Sequence, residues 1–209
     1  EYIYLVGYKG AQRSVVAFDA SYSTPRELWR TDINDDEEGR DHFRNYPQLK
    51  DFTNDMIRSY FDYLRRKQQN PNEKQEQGWM RTYTKFARAF HNGDLSYAGI
   101  ISLWEHIAFY NYIQEPVPNT RVSPAKELFV KYEAPFWEVV RACQPDLIII
   151  WGLRLWDNLP FKKESHDEHL FRISGTANDL SVLALPITHP SAPRFAYQTM
   201  YNKLTAALS

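Results

Sequence analysis

The run Leu147-Ile148-Ile149-Ile150-Trp151 constrains this chain more than any other stretch. Five apolar residues with no polar alternation predict a strand buried on both faces, and such strands belong to sheets covered by helices on either side. The flanks agree. Ser123-Pro124 is a good helix start, with Ser at the cap and Pro in the first turn. Leu128, Tyr132, Phe136, Val139 and Cys143 follow at helical spacing, and Pro135 is expected to kink or split that helix before Gln144-Pro145-Asp146 ends it. On the far side, Gly152 provides a tight turn into a short helix from Leu153 to Leu159. Helix, buried strand, glycine, helix is an α/β pattern.

The remaining elements extend it. Tyr2 to Val6 and Ser14 to Phe18 predict two strands, the second central, with Asp19 to Tyr22 as the loop at its C-terminal end. Ser23-Thr24-Pro25 starts a short helix through Trp29. The acidic run from Asp32 to Glu38 lacks the alternating ligands and glycine of a calcium loop and predicts a solvated loop. From Lys50 to Lys67 the residues Phe52, Met56, Tyr60 and Leu64 recur every fourth position, which predicts an amphipathic helix. Gln68 to Gly78 reads as a polar loop. Trp79, Tyr83, Phe86 and Phe90 mark a second helix with Arg81, Lys85 and Arg88 on its other face. Leu95 to His106 predicts a helix and Ile107 to Ile113 a strand, with Asn111 near its end and a loop from Gln114 to Val122. His169 to Ser174 predicts an edge strand, Val182 to Ile187 a buried strand, and Phe195 to Leu208 a final helix. The expected architecture is one domain, 1–209, of three layers (α/β/α) around a mostly parallel four-stranded sheet, with a helical insertion at about 50–92.

Composition narrows the function. The net charge of −1 gives no global basic field, although residues 50–92 hold 9 Lys/Arg against 5 Asp/Glu, so a local basic surface is possible. One cysteine, Cys143, excludes an internal disulfide and a cysteine-ligated cluster, and favours an intracellular setting. No apolar run is long enough to span a bilayer, so no membrane partner is expected. His166 and His169 lie three apart in polar surroundings without an obvious third ligand, so no metal and no cofactor is expected. No phosphate-binding glycine loop or serine-hydrolase elbow occurs. A monomer is the default expectation. The 6 Trp, 14 Tyr and 12 Phe serve chiefly as core.

In an open α/β sheet the ligand crevice lies beyond the C-terminal ends of the strands. Asp19, Asn111, Gly152 and His189 all fall at such expected ends. An amide can read a base edge, a histidine can donate to a developing anion, and a carboxylate can position a water or stabilise a cationic sugar. That set suits cleavage of an N-glycosidic bond. Taken one at a time, each residue has an ordinary explanation: a turn cap, a strand-end amide, a packed imidazole.

Taken in order, Phe18-Asp19-Ala20-Ser21-Tyr22, Phe109-Tyr110-Asn111-Tyr112, Leu147 to Gly152 and His189-Pro190-Ser191-Ala192-Pro193-Arg194-Phe195 resemble the motif series of the uracil-DNA glycosylase superfamily. The resemblance spans nearly the whole chain and implies the uracil-DNA glycosylase-like fold and a metal-independent, monofunctional DNA glycosylase acting on uracil or a modified pyrimidine. It implies that His189 stabilises the anion on the leaving base, Asp19 orients or activates water, and Asn111 reads the base. It implies further that Tyr22 or Phe18 stacks on the base, while Ser191, Arg194 and Phe195 meet DNA, Phe195 as a wedge beside the flipped nucleotide. The first motif departs from the family pattern in lacking its leading glycine. DNA repair and defence against phage DNA with modified bases both suit such an enzyme. The alternatives are an inactive DNA- or base-binding protein of the same fold and a nucleoside or nucleotide hydrolase.

Overall fold

The computed structural model describes residues 3–8, 13–23, 52–73, 76–104, 106–117, 124–176 and 179–208, with backbone placement alone for 3–8, 13–23, 52–56, 107–109 and 114–117. The elements are β1 (Ile3–Tyr8), β2 (Arg13–Ser23), α1 (Phe52–Gln69), α2 (Met80–Ala89), α3 (Tyr97–Trp104), β3 (Ile107–Val117), α4 (Lys126–Lys131) and α5 (Glu133–Cys143). Then follow β4 (Leu147–Trp151), α6 (Leu153–Asn158), β5 (Lys162–Ser165), β6 (Phe171–Ser174), β7 (Ser181–Ile187) and α7 (Tyr197–Leu208). The expected helix at 24–29, the acidic run at 32–38 and the loop at 118–122 lie outside the described residues.

The strands form one seven-stranded sheet in the order β1-β3-β2-β4-β7-β6-β5. The expectation of a mostly parallel four-stranded sheet is corrected: the sheet is mixed. β3, β2, β4 and β7 run parallel to one another, but β1 pairs antiparallel with β2 and β3, and β5 and β6 add an antiparallel hairpin beyond β7. The hairpin escapes a pattern reading because β5, Lys-Lys-Glu-Ser, is polar and mostly exposed. It is β5, not β6, that forms this edge, and charged residues on an edge discourage further pairing.

Two other boundaries differ from expectation. Asp19 to Tyr22 is not a loop: β2 continues to Ser23, with a bulge between Ser21 and Ser23, because β3 runs alongside and supplies hydrogen-bond partners. Likewise β3 continues through Pro116 to Val117, so Asn111 lies at mid-strand. A proline is tolerated there because β1 pairs with β3 only from Ile107 to Tyr110 among the described residues, leaving the later part as an edge.

Two apolar clusters occupy opposite faces of the sheet. Leu147, Ile149 and Trp151 of β4 join Leu185 and Ile187 of β7 under Tyr60 and Leu64 of α1, Tyr83 and Phe86 of α2, Trp104 of α3 and Leu204 of α7. Ile148 and Ile150 point the other way, to Phe129 of α4, Phe136 and Trp137 of α5 and Leu155 of α6. The alternation of a strand thus serves two cores at once, which is why β4 has no polar position. The segment expected as an insertion, 50–92, supplies much of the first layer. The helix expected from Ser123 begins at Lys126 and divides at Tyr132. Pro135 sits in the first turn of α5, where its missing N–H is not needed. Gln144, at φ 45°, ends α5 in the left-handed conformation.

Among the parallel strands, the chain steps from β2 to β3 on one side, then back across β2 to β4 on the other. The strand order therefore reverses between β2 and β4, and ligands in open α/β sheets bind at such a point, beyond the C-terminal strand ends.

Trp151 is fully buried and its ring lies 4.6 Å from Phe86 and 6.3 Å from Tyr83, centroid to centroid. Trp151→Ala is expected to lower stability by about 3–5 kcal/mol in urea unfolding, the usual cost of deleting a buried tryptophan. A loss below about 1 kcal/mol would contradict this packing.

Candidate functional site

The backbone register brings the expected site residues to one level of the sheet. Asp19 on β2 is the direct partner of Asn111 on β3. Val15 of β2 is level with Leu147 of β4, and Asp19 and Trp151 each lie four residues further on. Trp151 is level with Ile187 of β7, and the Gly152 N–H donates to the Ile187 carbonyl at 2.8 Å. His189 follows two residues later. Phe18 and Tyr22 flank Asp19 on the same strand, Phe18 being level with Tyr110.

Asn111 is 4% exposed and is the only amide side chain among the buried polar residues of the described chain, the others being Thr82 and Thr84. Burying an amide costs on the order of 1–3 kcal/mol unless its polar atoms are hydrogen-bonded.

His189 is the best-defined group of the site. The Ser191 N–H donates to its Nδ1 at 3.1 Å, and the Ser191 Oγ lies 2.6 Å from the same nitrogen. A nitrogen that accepts from an amide N–H carries no proton of its own. The hydroxyl therefore donates to it as well, and the neutral ring carries its proton on Nε2. The ring meets Trp151 edge-on, with centroids 5.9 Å apart and planes at 88°. Burial pushes its pKa from 6.5 down to about 3, and the nearby positive charge of Arg154 acts in the same direction. At neutral pH this is an uncharged imidazole with its proton on Nε2.

The chain beyond His189 forms two successive turns. The Ala192 N–H donates to the His189 carbonyl at 2.8 Å, and the Phe195 N–H to the Ala192 carbonyl at 3.1 Å. Pro190 is buried beneath them, while Ser191, Pro193 and Arg194 are exposed. Phe195 is half-buried, packs against the first core cluster and stands edge-on to Tyr197 at 5.9 Å.

Two residues near His189 were not singled out as site residues from the sequence. Trp151 braces the imidazole, and Arg154 on α6 biases its charge. The available signal was their position: Trp151 precedes Gly152 and Arg154 follows two residues after it, at the end of a strand buried throughout. His166 and His169 lie in the β5–β6 turn, which Asp167 ties by accepting the N–H groups of His169 at 2.8 Å and Leu170 at 3.0 Å. Among the described residues no three His, Cys, Asp or Glu side chains cluster as a metal site, and no helix is long and apolar enough to cross a membrane. Comparison with protein-family models, curated proteins and solved structures finds no match to this chain.

Because the folded-state pKa of His189 lies below 6.5, the unfolded chain binds a proton here that the folded chain does not. Its contribution to stability is complete above about pH 6.5 and falls away as the pH drops toward 3. Imidazole ¹⁵N spectra at pH 5 are expected to show a neutral ring protonated on Nε2. Ser191→Ala, which removes one donor to Nδ1, is expected to raise the titration midpoint. A charged His189 at pH 5 in the unaltered chain would contradict the assignment.

Proposed function

We propose that this chain is a DNA glycosylase with the uracil-DNA glycosylase-like fold, hydrolysing the N-glycosidic bond of uracil or a modified pyrimidine turned out of the DNA stack. The observation that carries the reading is the neutral, Nε2-protonated His189 at a parallel strand end, two residues past a β4–β7 level that also aligns with the Asp19–Asn111 pair. The switch in strand order between β2 and β4 supports the same location.

In this reading the C1′–N1 bond breaks and its electron pair leaves with the base. Negative charge builds on the pyrimidine oxygen, and the His189 Nε2–H donates to it. A neutral donor suits this task, since it stabilises the anion without having to lose its own charge. Asn111 presents an amide to the edge of the base, where its donors and acceptor discriminate between pyrimidines. Asp19 holds the water whose oxygen bonds to C1′, and its carboxylate takes up the proton released. Its charge also favours the cationic sugar of the transition state, as carboxylates do in other glycoside cleavages. Tyr22 or Phe18 stacks on the base or restricts what fits beside it. Ser191 fixes the imidazole, Arg194 meets a backbone phosphate, and Phe195 seats the loop.

Purified protein incubated with single- and double-stranded oligonucleotides carrying uracil, hydroxymethyluracil, hypoxanthine or substituted cytosines, then treated with alkali, tests this. Strand cleavage at one modified position is expected, with His189→Ala slowing it by about 10²–10³, the usual loss when one donor to a developing anion is removed. Asn111→Ala is expected to weaken selection among pyrimidines as well as rate. Absence of abasic sites on every substrate, with DNA still bound, would overturn the reading in favour of a non-catalytic binding protein.

A further inference from the structure

Two large apolar side chains stand out as exposed among the described residues, Val130 at 64% and Leu153 at 54%. Isolated exposed apolar residues are ordinary. Leu153 is set apart by its place: it is the first residue after Gly152, on the crevice side of the sheet. Gly152 has φ 95°, which a residue with a Cβ rarely adopts, and its N–H is tied to the Ile187 carbonyl at 2.8 Å. The point at which Leu153 leaves the sheet is therefore fixed, between the end of β4 and the strand that leads into His189. Nor is the exposure a sign of a loose element. Leu155, two residues on in α6, is fully buried, so the short helix is docked and Leu153 is the side chain it turns outward. Its neighbour Arg154 is exposed too and lies close enough to His189 to affect its charge.

The residue expected as a wedge, Phe195, is placed differently. Its ring is half-buried, stacked edge-on against Tyr197 and packed on the core cluster, so pushing it into DNA would require giving up those contacts. Turning a base out of a duplex leaves a gap, and an apolar side chain that fills it offsets part of the lost stacking.

We propose that Leu153, rather than Phe195, is the side chain that enters the base stack when the target nucleotide leaves it, with Arg154 beside it on the flanking phosphate. The proposal rests on the glycosylase reading and adds the loop after β4 as the inserting element, beside the strand that leads into His189.

The test compares single-turnover base release from a paired duplex and from the same strand unpaired, for the unaltered chain, Leu153→Ala, Leu153→Met and Phe195→Ala. Leu153→Ala is expected to slow the duplex reaction by about tenfold to a hundredfold, while changing the single-strand reaction by no more than about twofold. Leu153→Met, similar in size and apolar, is expected to stay close to the unaltered rate on both. An unchanged urea midpoint for Leu153→Ala separates this from a folding defect. Equal effects of Leu153→Ala on both substrates, or a duplex-specific loss in Phe195→Ala instead, would overturn the assignment. So would release by the unaltered chain from single strands only, which leaves the glycosylase reading standing. No release by the unaltered chain from either substrate would overturn both.

Discussion

The burial of β4 on both faces is the constraint on which the rest of this molecule depends. Leu147, Ile149 and Trp151 hold the layer of α1, α2, α3 and α7, while Ile148 and Ile150 hold the layer of α4, α5 and α6. Among the strands whose side chains are described, no other is buried at every position. The last residue of the run also reaches the site. The Trp151 ring centroid lies 4.6 Å from that of Phe86 and 5.9 Å from that of His189. The same ring thus joins the helical core to the imidazole of the candidate site. A functional group held in place by packing is better positioned than one on a free loop.

The turn after β7 then sets the character of His189. Two donors from Ser191 converge on Nδ1, one of them a main-chain N–H whose polarity cannot change. Burial and the positive charge of Arg154 both oppose protonation. Burial and Arg154 thus keep the ring neutral, and the Ser191 contacts put its proton on Nε2. Such a ring is a poor general base for a nearby hydroxyl through Nδ1 but a well-prepared hydrogen-bond donor, which is the property the proposed chemistry uses.

Much of this was legible in the sequence because it depends on local pattern. The apolar run of β4, the four-residue spacing of Tyr60 and Leu64 in α1, and the break near Pro135 each follow from side-chain periodicity or backbone chemistry. What escaped depends on partners distant in the chain. Ser21-Tyr22-Ser23 has the composition of a loop, yet it is strand because β3 pairs with it. Pro116 argues against a strand until the free edge of β3 is known. The polar β5 is held by its partner β6 rather than by an apolar face of its own. The site shows the same division. His189, Ser191 and Asn111 can be named from residue type and order, but the level register of Asp19 with Asn111 is a property of the sheet. The bracing of His189 by Trp151, and the influence of Arg154, become visible only when β4 and β7 lie side by side.

The central claim is that His189 and Asn111 serve one bound pyrimidine. Its most direct test is a titration of ¹⁵N-labelled protein with an oligonucleotide whose target nucleotide carries a 2′-fluoro group, so that it binds without being cleaved. The His189 Nε2–H and the Asn111 side-chain amide resonances should move together, along a single binding curve, with the Nε2–H shifting as a donor to the base oxygen. Binding in which neither resonance moves, or in which only the exposed loop around Arg194 responds, would contradict the claim.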